Sequence, residues 1–136
     1  MNKKNILVLC TGNSCRSQIA EGFLRHFHGE VANIYSAGVE THGVNPRAIQ
    51  TMLEDGIDIS AHTSNHVDEY LHISFDLIIT VCDHASERCP LFPGSAIRIH
   101  HNFTDPAKAV GSEEETKAAF AKVREEIKRF CAALVV

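Results

Sequence analysis

Asn5-Ile6-Leu7-Val8-Leu9-Cys10-Thr11-Gly12-Asn13-Ser14-Cys15-Arg16-Ser17 is the stretch on which the reading of this chain turns. Asn5 to Leu9 form a short apolar run without alternation, the pattern of a strand buried on both faces of a parallel sheet. Beyond the loop, Ile19, Phe23 and Phe27 recur at helical spacing, which predicts a helix from about Ser17 to His28, ended near Gly29. A strand that feeds a helix through a tight loop is half of a βαβ unit. Such loops stand at the carboxyl edge of a parallel sheet, where ligands bind.

The rest of the chain repeats the alternation. Ile34 to Ala37 reads as a second strand. Asn45-Pro46 opens a helix, with Asn as N-cap, Pro in the first turn and Ala48, Ile49, Met52 and Leu53 on one face, and Gly56 stops it. Phe75 to Val81 is β-rich and uncharged apart from Asp76, a third strand. Ala96 to His100 gives a fourth. Ser112 and Glu115 form a capping box that launches a long helix with Phe120, Val123, Ile127, Phe130 and Leu134 as its buried stripe. Strands alternating with helices imply right-handed βαβ crossovers in one α/β domain over residues 1–136.

Composition bounds the function. With 44% hydrophobic and 22% charged residues the 136-residue chain has the make-up of an ordinary globule. A domain of this length buries roughly 68% of its unfolded surface and needs no staples. Seventeen acidic residues against thirteen basic ones leave a net charge of −4, which argues against a nucleic-acid partner. The longest apolar run near the N-terminus, Ile6 to Cys10, falls far short of the roughly 18 residues of a membrane span. No signal peptide is read, and a cytoplasmic location is expected. Nothing in the sequence demands more than a monomer. Five cysteines in such a chain cannot all pair, and a reducing compartment disfavours structural disulfides. Cys131 lies on the apolar stripe of the last helix and reads as packing. Cys10, Cys15, Cys82 and Cys89 ask for another account.

The loop from Cys10 to Ser17 is built to hold an anion. The backbone N–H groups of Thr11, Gly12, Asn13, Ser14 and Cys15, with the free donors of the helix start, form an anion-binding nest. Arg16 adds a planar guanidinium that grips two oxygens of a tetrahedral oxyanion. Gly12 permits the turn and Asn13 tolerates a left-handed backbone. The same positive field favours the thiolate of Cys10, turning it into a nucleophile, with Ser17 placed to donate to it. Cys15 belongs to the loop, although its thiol need not face the anion. Transfer of an oxyanion to sulfur also needs an acid for the departing oxygen. Asp105, before Pro106 in the loop after the fourth strand, is the candidate.

The residues Cys10-Thr11-Gly12-Asn13-Ser14-Cys15-Arg16-Ser17 resemble the C-x5-R-S loop shared by low-molecular-weight protein tyrosine phosphatases and thioredoxin-coupled arsenate reductases. Both families keep an Asp-Pro acid at the place of Asp105. Cys82 and Cys89, in the V-C-x6-C-P pattern of Val81 to Pro90, separate the two. With Tyr35-Ser36-Ala37-Gly38 and Thr41-His42-Gly43-Val44-Asn45-Pro46, that pattern closely resembles the reductases, and the likeness runs from about Asn5 to Ile127. The resemblance implies a three-layer sandwich whose four-stranded parallel sheet has the order 2-1-3-4. It also implies a relay. Cys10 captures arsenate, Cys82 displaces arsenite to leave a Cys10–Cys82 disulfide, and Cys89 moves the disulfide outward to Cys82–Cys89 for thioredoxin. A disulfide needs Cα atoms within roughly 4.4–6.8 Å, whereas seven helical steps span about 10.5 Å, so the 82–89 segment is expected to unwind on oxidation.

Other readings remain open at this stage. The loop and Asp105 would serve a phosphatase equally, using Cys10, Arg16 and Asp105, and related anions such as phosphate and sulfate should bind. A noncatalytic anion-sensing module would use the same loop. Cys82, His84 and Cys89 with His100 or His101 could be counted as zinc donors, but the spacing matches no common ligand pattern. The reductase resemblance further implies potassium near the loop at Asn13, Glu21, Ser36 and Asn65. The last position is usually Asp, so with one carboxylate fewer a cation is held less strongly. The stretch His100-His101-Asn102-Phe103-Thr104 departs from the usual aromatic, Gly, Phe and acidic residues before the acid. His26, His28, His42, His62, His66, His72 and His84 sit in polar stretches and read as mainly surface.

Overall fold

The computed structural model describes residues 3–83, 85 and 88–136. Strands β1 (Lys4–Cys10), β2 (Ala32–Gly38), β3 (Leu77–Thr80) and β4 (Ile97–His100) form one parallel sheet in the order β2-β1-β3-β4. Helices α1 (Arg16–His28), α2 (Pro46–Glu54) and α3 (Glu113–Ala133) connect or follow them, with short 3-10 turns at Val67–Tyr70 and Pro106–Lys108. The sheet order and the parallel pairing are those the sequence implied. β1 lies centrally between two partners, and Ile6, Leu7, Val8 and Leu9 are wholly buried, as an unalternating strand requires.

The ends of the elements are set by capping chemistry. The Asn45 side chain accepts the N–H of Arg47 at 2.8 Å at the start of α2. Ser112 and Glu115 close the expected capping box on α3. α1 begins at Cys15 with no side-chain cap and no acid in its first turn, which leaves its N–H donors to the loop before it.

The apolar faces of all three helices differ from the sequence reading. Phe27 is 38% exposed, because it lies in the last turn of α1 and stacks on Phe23 at 6.2 Å at the rim of the core. On α2 the buried residues are Ala48, Thr51 and Met52, with Ile49 half-buried and Leu53 exposed. Thr51 takes the inward place because Arg124 of α3 bonds its carbonyl at 2.9 Å and its hydroxyl at 3.2 Å. Phe130 and Leu134 are only half-buried, while Phe120, Val123, Ile127 and Cys131 carry the buried stripe of α3. The β3 ladder is shorter than the apolar run that predicts it. Phe75 lies outside it yet is buried, edge-on to Tyr35 at 5.5 Å and Phe92 at 5.2 Å.

Candidate active site

The loop that leaves β1 at Cys10 reaches α1 at Arg16 across the carboxyl edge of the sheet. Its backbone is tightly constrained from below. A Cβ on Gly38, the last residue of β2, would meet Glu40 O, come within 2.7 Å of Thr11 O and lie 2.8 Å from Asn13 N. Only glycine lets the loop pass there. Asn13 adopts the expected left-handed backbone, φ 48°.

A directional hydrogen-bond chain lies behind the nucleophile. The backbone N–H of Asn65 donates to Asn13 Oδ1 at 2.8 Å, which fixes that amide's orientation. Asn13 Nδ2 therefore donates to Ser17 Oγ at 2.8 Å and to Ser36 Oγ at 3.0 Å. With its oxygen so occupied, the Ser17 hydroxyl turns its own proton to Cys10 Sγ, 2.9 Å away. The Ser36 hydroxyl donates to Glu21 Oε1. Asn13, expected among the residues that bind the oxyanion, has no exposed surface, and its side chain orients the loop from behind.

In front of Cys10 lies a cavity of about 360 Å³ lined by Thr11, Gly12, Ser14, Cys15 and Arg16 and rimmed by Glu40, His42, Asp105 and Lys108. Arg16 donates to Phe103 O at 3.0 Å and lies 3.6 Å from Asp105 Oδ2, so guanidinium and acid share the mouth. Asp105 caps the following 3-10 turn through Ala107 N at 3.0 Å, which fixes one of its oxygens and leaves the other toward Arg16. Burial, reinforced by the Asp105 carboxylate, pushes the Cys15 thiol up to about 12. Cys15 thus stays a neutral thiol beside the nucleophile, and burial alone does the same to Cys131. His42 is exposed, as expected, and its ring stands over the loop so closely that a Cβ on Gly12 would strike it.

Cys82 follows β3 and is buried, its Sγ 3.1 Å from Thr11 Oγ1. The register explains this: Leu9 pairs with Thr80, so the residues just beyond each strand emerge side by side. Cys89 is not brought to this place. Its sulfur accepts from Arg98 Nη1 of β4 at 3.0 Å. All five cysteines are free thiols. The expected unwinding of residues 82–89 falls partly on His84, Ser86 and Glu87, outside the described residues. So does the His84 of the zinc reading. Among the described residues no three His, Cys, Asp or Glu side chains stand together as a metal site.

The residues expected to hold potassium do come together, and their oxygens take part in hydrogen bonds. Glu21 Oε2 accepts Arg25 Nε at 2.8 Å, and Oε1 accepts the Ser36 hydroxyl. Asn65 Oδ1 accepts from Thr63 at 2.7 Å, and Asn13 Oδ1 is taken by a backbone N–H. Arg25, fixed on Ile34 O at 2.8 Å, already supplies the positive charge. With Arg25 already neutralising Glu21, these oxygens hold an alkali ion less strongly than a set with a free carboxylate. His62, expected at the surface, is also part of this cluster. Its ring lies 3.0 Å from Gln18 Oε1 and 3.4 Å from Glu21 Oε2, with 13% of the side chain exposed. Gln18 is buried and spends its amide protons on Asn13 O and Thr63 O, so its oxygen takes the Nδ1 proton of His62. Burial lowers the affinity of His62 for a second proton.

An oxyanion loop with a buried thiol, an arginine and an aspartate at its mouth is the site of a phosphatase-like fold. This chain belongs to the low molecular weight phosphotyrosine protein phosphatase family, whose pattern it matches over residues 5–136. It is 53% identical over 127 residues to an arsenate reductase of Halalkalibacterium halodurans, covering 93% of this chain and 91% of that protein. A solved arsenate reductase in the oxidized state superposes with a TM-score of 0.78 at 29% identity, covering 94% and 93% of the two chains. Another, in the phosphate binding state, gives 0.71 at 29% identity, covering 97% and 99%. No helix among the described residues is long and apolar enough to cross a membrane.

Proposed function

We propose that this protein reduces arsenate to arsenite, in arsenic detoxification, by a relay of three thiols with thioredoxin as the electron source. The observation that carries the reading is the Cys82 sulfur held 3.1 Å from Thr11 Oγ1, on the very loop that presents Cys10. A phosphatase has no use for a second thiol there. A reductase needs it, because two electrons must reach the oxyanion.

The Cys10 thiolate attacks arsenate in the loop, and a hydroxyl leaves as water with the proton of Asp105. Arg16 and the loop N–H groups hold the three remaining oxygens. The Cys82 thiolate then attacks the Cys10 sulfur. The S–As bond breaks with its electron pair going to arsenic, which departs as arsenite and leaves the Cys10–Cys82 disulfide. Cys89 attacks Cys82, frees Cys10 as thiolate and carries the disulfide outward to a dithiol protein such as thioredoxin. Arg25 takes the place of a potassium ion in this scheme, so no monovalent cation is required.

Arsenite production with a thioredoxin system, measured for the wild type and for Cys10→Ser, Cys82→Ser and Cys89→Ser, tests the reading. The wild type turns over and none of the three variants does, while Cys89→Ser still releases one arsenite per chain. Phosphotyrosine turnover without arsenite release would instead establish a phosphatase using Cys10, Arg16 and Asp105.

A further inference from the structure

We infer that Arg98 is a positioning residue that holds Cys89 away from Cys82 until the first disulfide has formed, an inference that rests on the relay reading above. The two sulfurs are gripped from opposite sides of β3. Cys82 Sγ is held by Thr11, which follows β1, at 3.1 Å. Cys89 Sγ is held by Arg98 of β4 at 3.0 Å. Because β3 lies between β1 and β4, these anchors belong to strands about 9.6 Å apart. They are also offset along the sheet. Arg98 pairs with Ile78, four residues before Cys82, a distance of about 13 Å at 3.3 Å per residue.

The hold on Cys89 engages both sides of the thiol. Its sulfur accepts from the guanidinium, and its proton is directed to Pro90 O at 3.6 Å, an oxygen that also lies 3.5 Å from Arg98 Nη2. A second grip lies two residues further along β4, on the same face. His100 contacts Asp83 Oδ1 at 2.7 Å and Thr80 Oγ1 at 2.7 Å. β4 thus fastens Asp83, beside Cys82, and Cys89 at separate points.

This restraint serves the order of the relay. A Cys82–Cys89 disulfide formed before arsenate is captured would consume the thiol that must attack the Cys10 adduct. Once Cys10–Cys82 exists, Cys89 leaves Arg98 and gives its proton to water. Its thiolate attacks Cys82 Sγ; the 10–82 bond breaks, the 82–89 bond forms, and the electron pair leaves on Cys10. The number of disulfides is unchanged, so no further oxidant enters.

The reduced enzyme is treated with diamide in the absence of arsenate, and the Cys82–Cys89 disulfide is followed by peptide mapping in wild type, Arg98→Ala and Arg98→Lys. In this side reaction the two thiols pass two electrons and two protons to the N=N bond of diamide. Arg98→Ala is expected to form the disulfide about fivefold to tenfold faster, with Arg98→Lys close to wild type. Single-turnover arsenite release on a Cys89→Ser background is expected to be the same with and without the Arg98→Ala substitution. Equal diamide rates in wild type and Arg98→Ala, or a Lys variant as fast as the Ala variant, would overturn the inference. If wild type cycling with arsenate forms no Cys82–Cys89 disulfide at all, the relay itself fails and this restraint with it.

Discussion

The backbone N–H of Asn65 decides which way a chain of side chains points. Because it takes Asn13 Oδ1, the amide nitrogen must serve both serines, and the Ser17 hydroxyl is left to donate to Cys10. That proton stabilises the attacking sulfur and the same sulfur when it leaves the disulfide. Ser17→Ala is expected to lower the single-turnover rate of arsenite release about tenfold, as befits one hydrogen bond to a charged group. An unchanged rate would show that the loop N–H groups suffice. Gly38 is the other residue on which the site rests, since its missing Cβ makes room for backbone atoms of Thr11, Asn13 and Glu40. None of those atoms can swing aside as a side chain would. Gly38→Ala is expected to destabilise the fold by about 1–3 kcal/mol in urea unfolding and to raise the KM for arsenate, because relief comes only by moving the loop. Lost stability with an unaltered KM would mean that β2 gives way instead.

At the scale of elements, the sequence shows most clearly what is decided locally. β1 betrays itself by an apolar run with no alternation, α2 by Asn45-Pro46, and α3 by Ser112 and Glu115, each a signal complete within a few residues. Phe27 and Leu53 fit the helical period yet stay exposed, since period alone does not say how far the covering elements extend. The oxyanion loop is legible for the same local reason: strand, glycine turn and helix start follow one another in the chain. The cluster around Glu21 is legible only through the family resemblance, and without His62 and Arg25, because it joins α1 to β2 and to the 62–65 segment rather than to chain neighbours. Its consequence is testable on α1 itself. Arg25 is half-exposed but its partner Glu21 is nearly buried, so Arg25→Gln leaves an uncompensated carboxylate among oxygen donors. A loss of about 1–2 kcal/mol is expected, discounted from the fully buried case for the solvent around the arginine. Replacing sodium by potassium in the buffer is expected to restore part of the variant's Tm and to leave wild type unmoved. A wild type that responds equally to potassium would show that Arg25 does not replace the ion.

On the scale of the whole molecule, the chemistry gathers at one edge because parallel strands all end there. Cys10 leaves β1, Cys82 follows β3 and Asp105 follows β4, three elements separated in sequence but aligned by the sheet register. Sequence spacing placed each of them after a strand, which is why they could be named. It could not place Cys89 on Arg98 or His62 beneath the loop, because those contacts depend on how segments outside the ladders fold back. His62 ties that folding back to stability. Burial, the dominant cause, with Arg25 beside it, lowers the proton affinity of His62 below its ordinary value of about 6.5, against a smaller opposing pull from Glu21. In the window just under 6.5 the unfolded chain therefore binds more protons at this position than the folded one. Its contribution to stability is complete above that pH and declines as the pH falls through the window. The carboxylates Asp58, held low beside Ser60, and Glu54, held low beside Lys117, are shifted down from the ordinary carboxylate range and so titrate below this window. Urea midpoints measured at pH 7.5, 6.5 and 5.5 are expected to fall for wild type. They should stay level for His62→Asn, which cannot take up the proton. An equal decline in both proteins would assign the loss to another group, and a rise in wild type on acidification would mean that Glu21 outweighs burial.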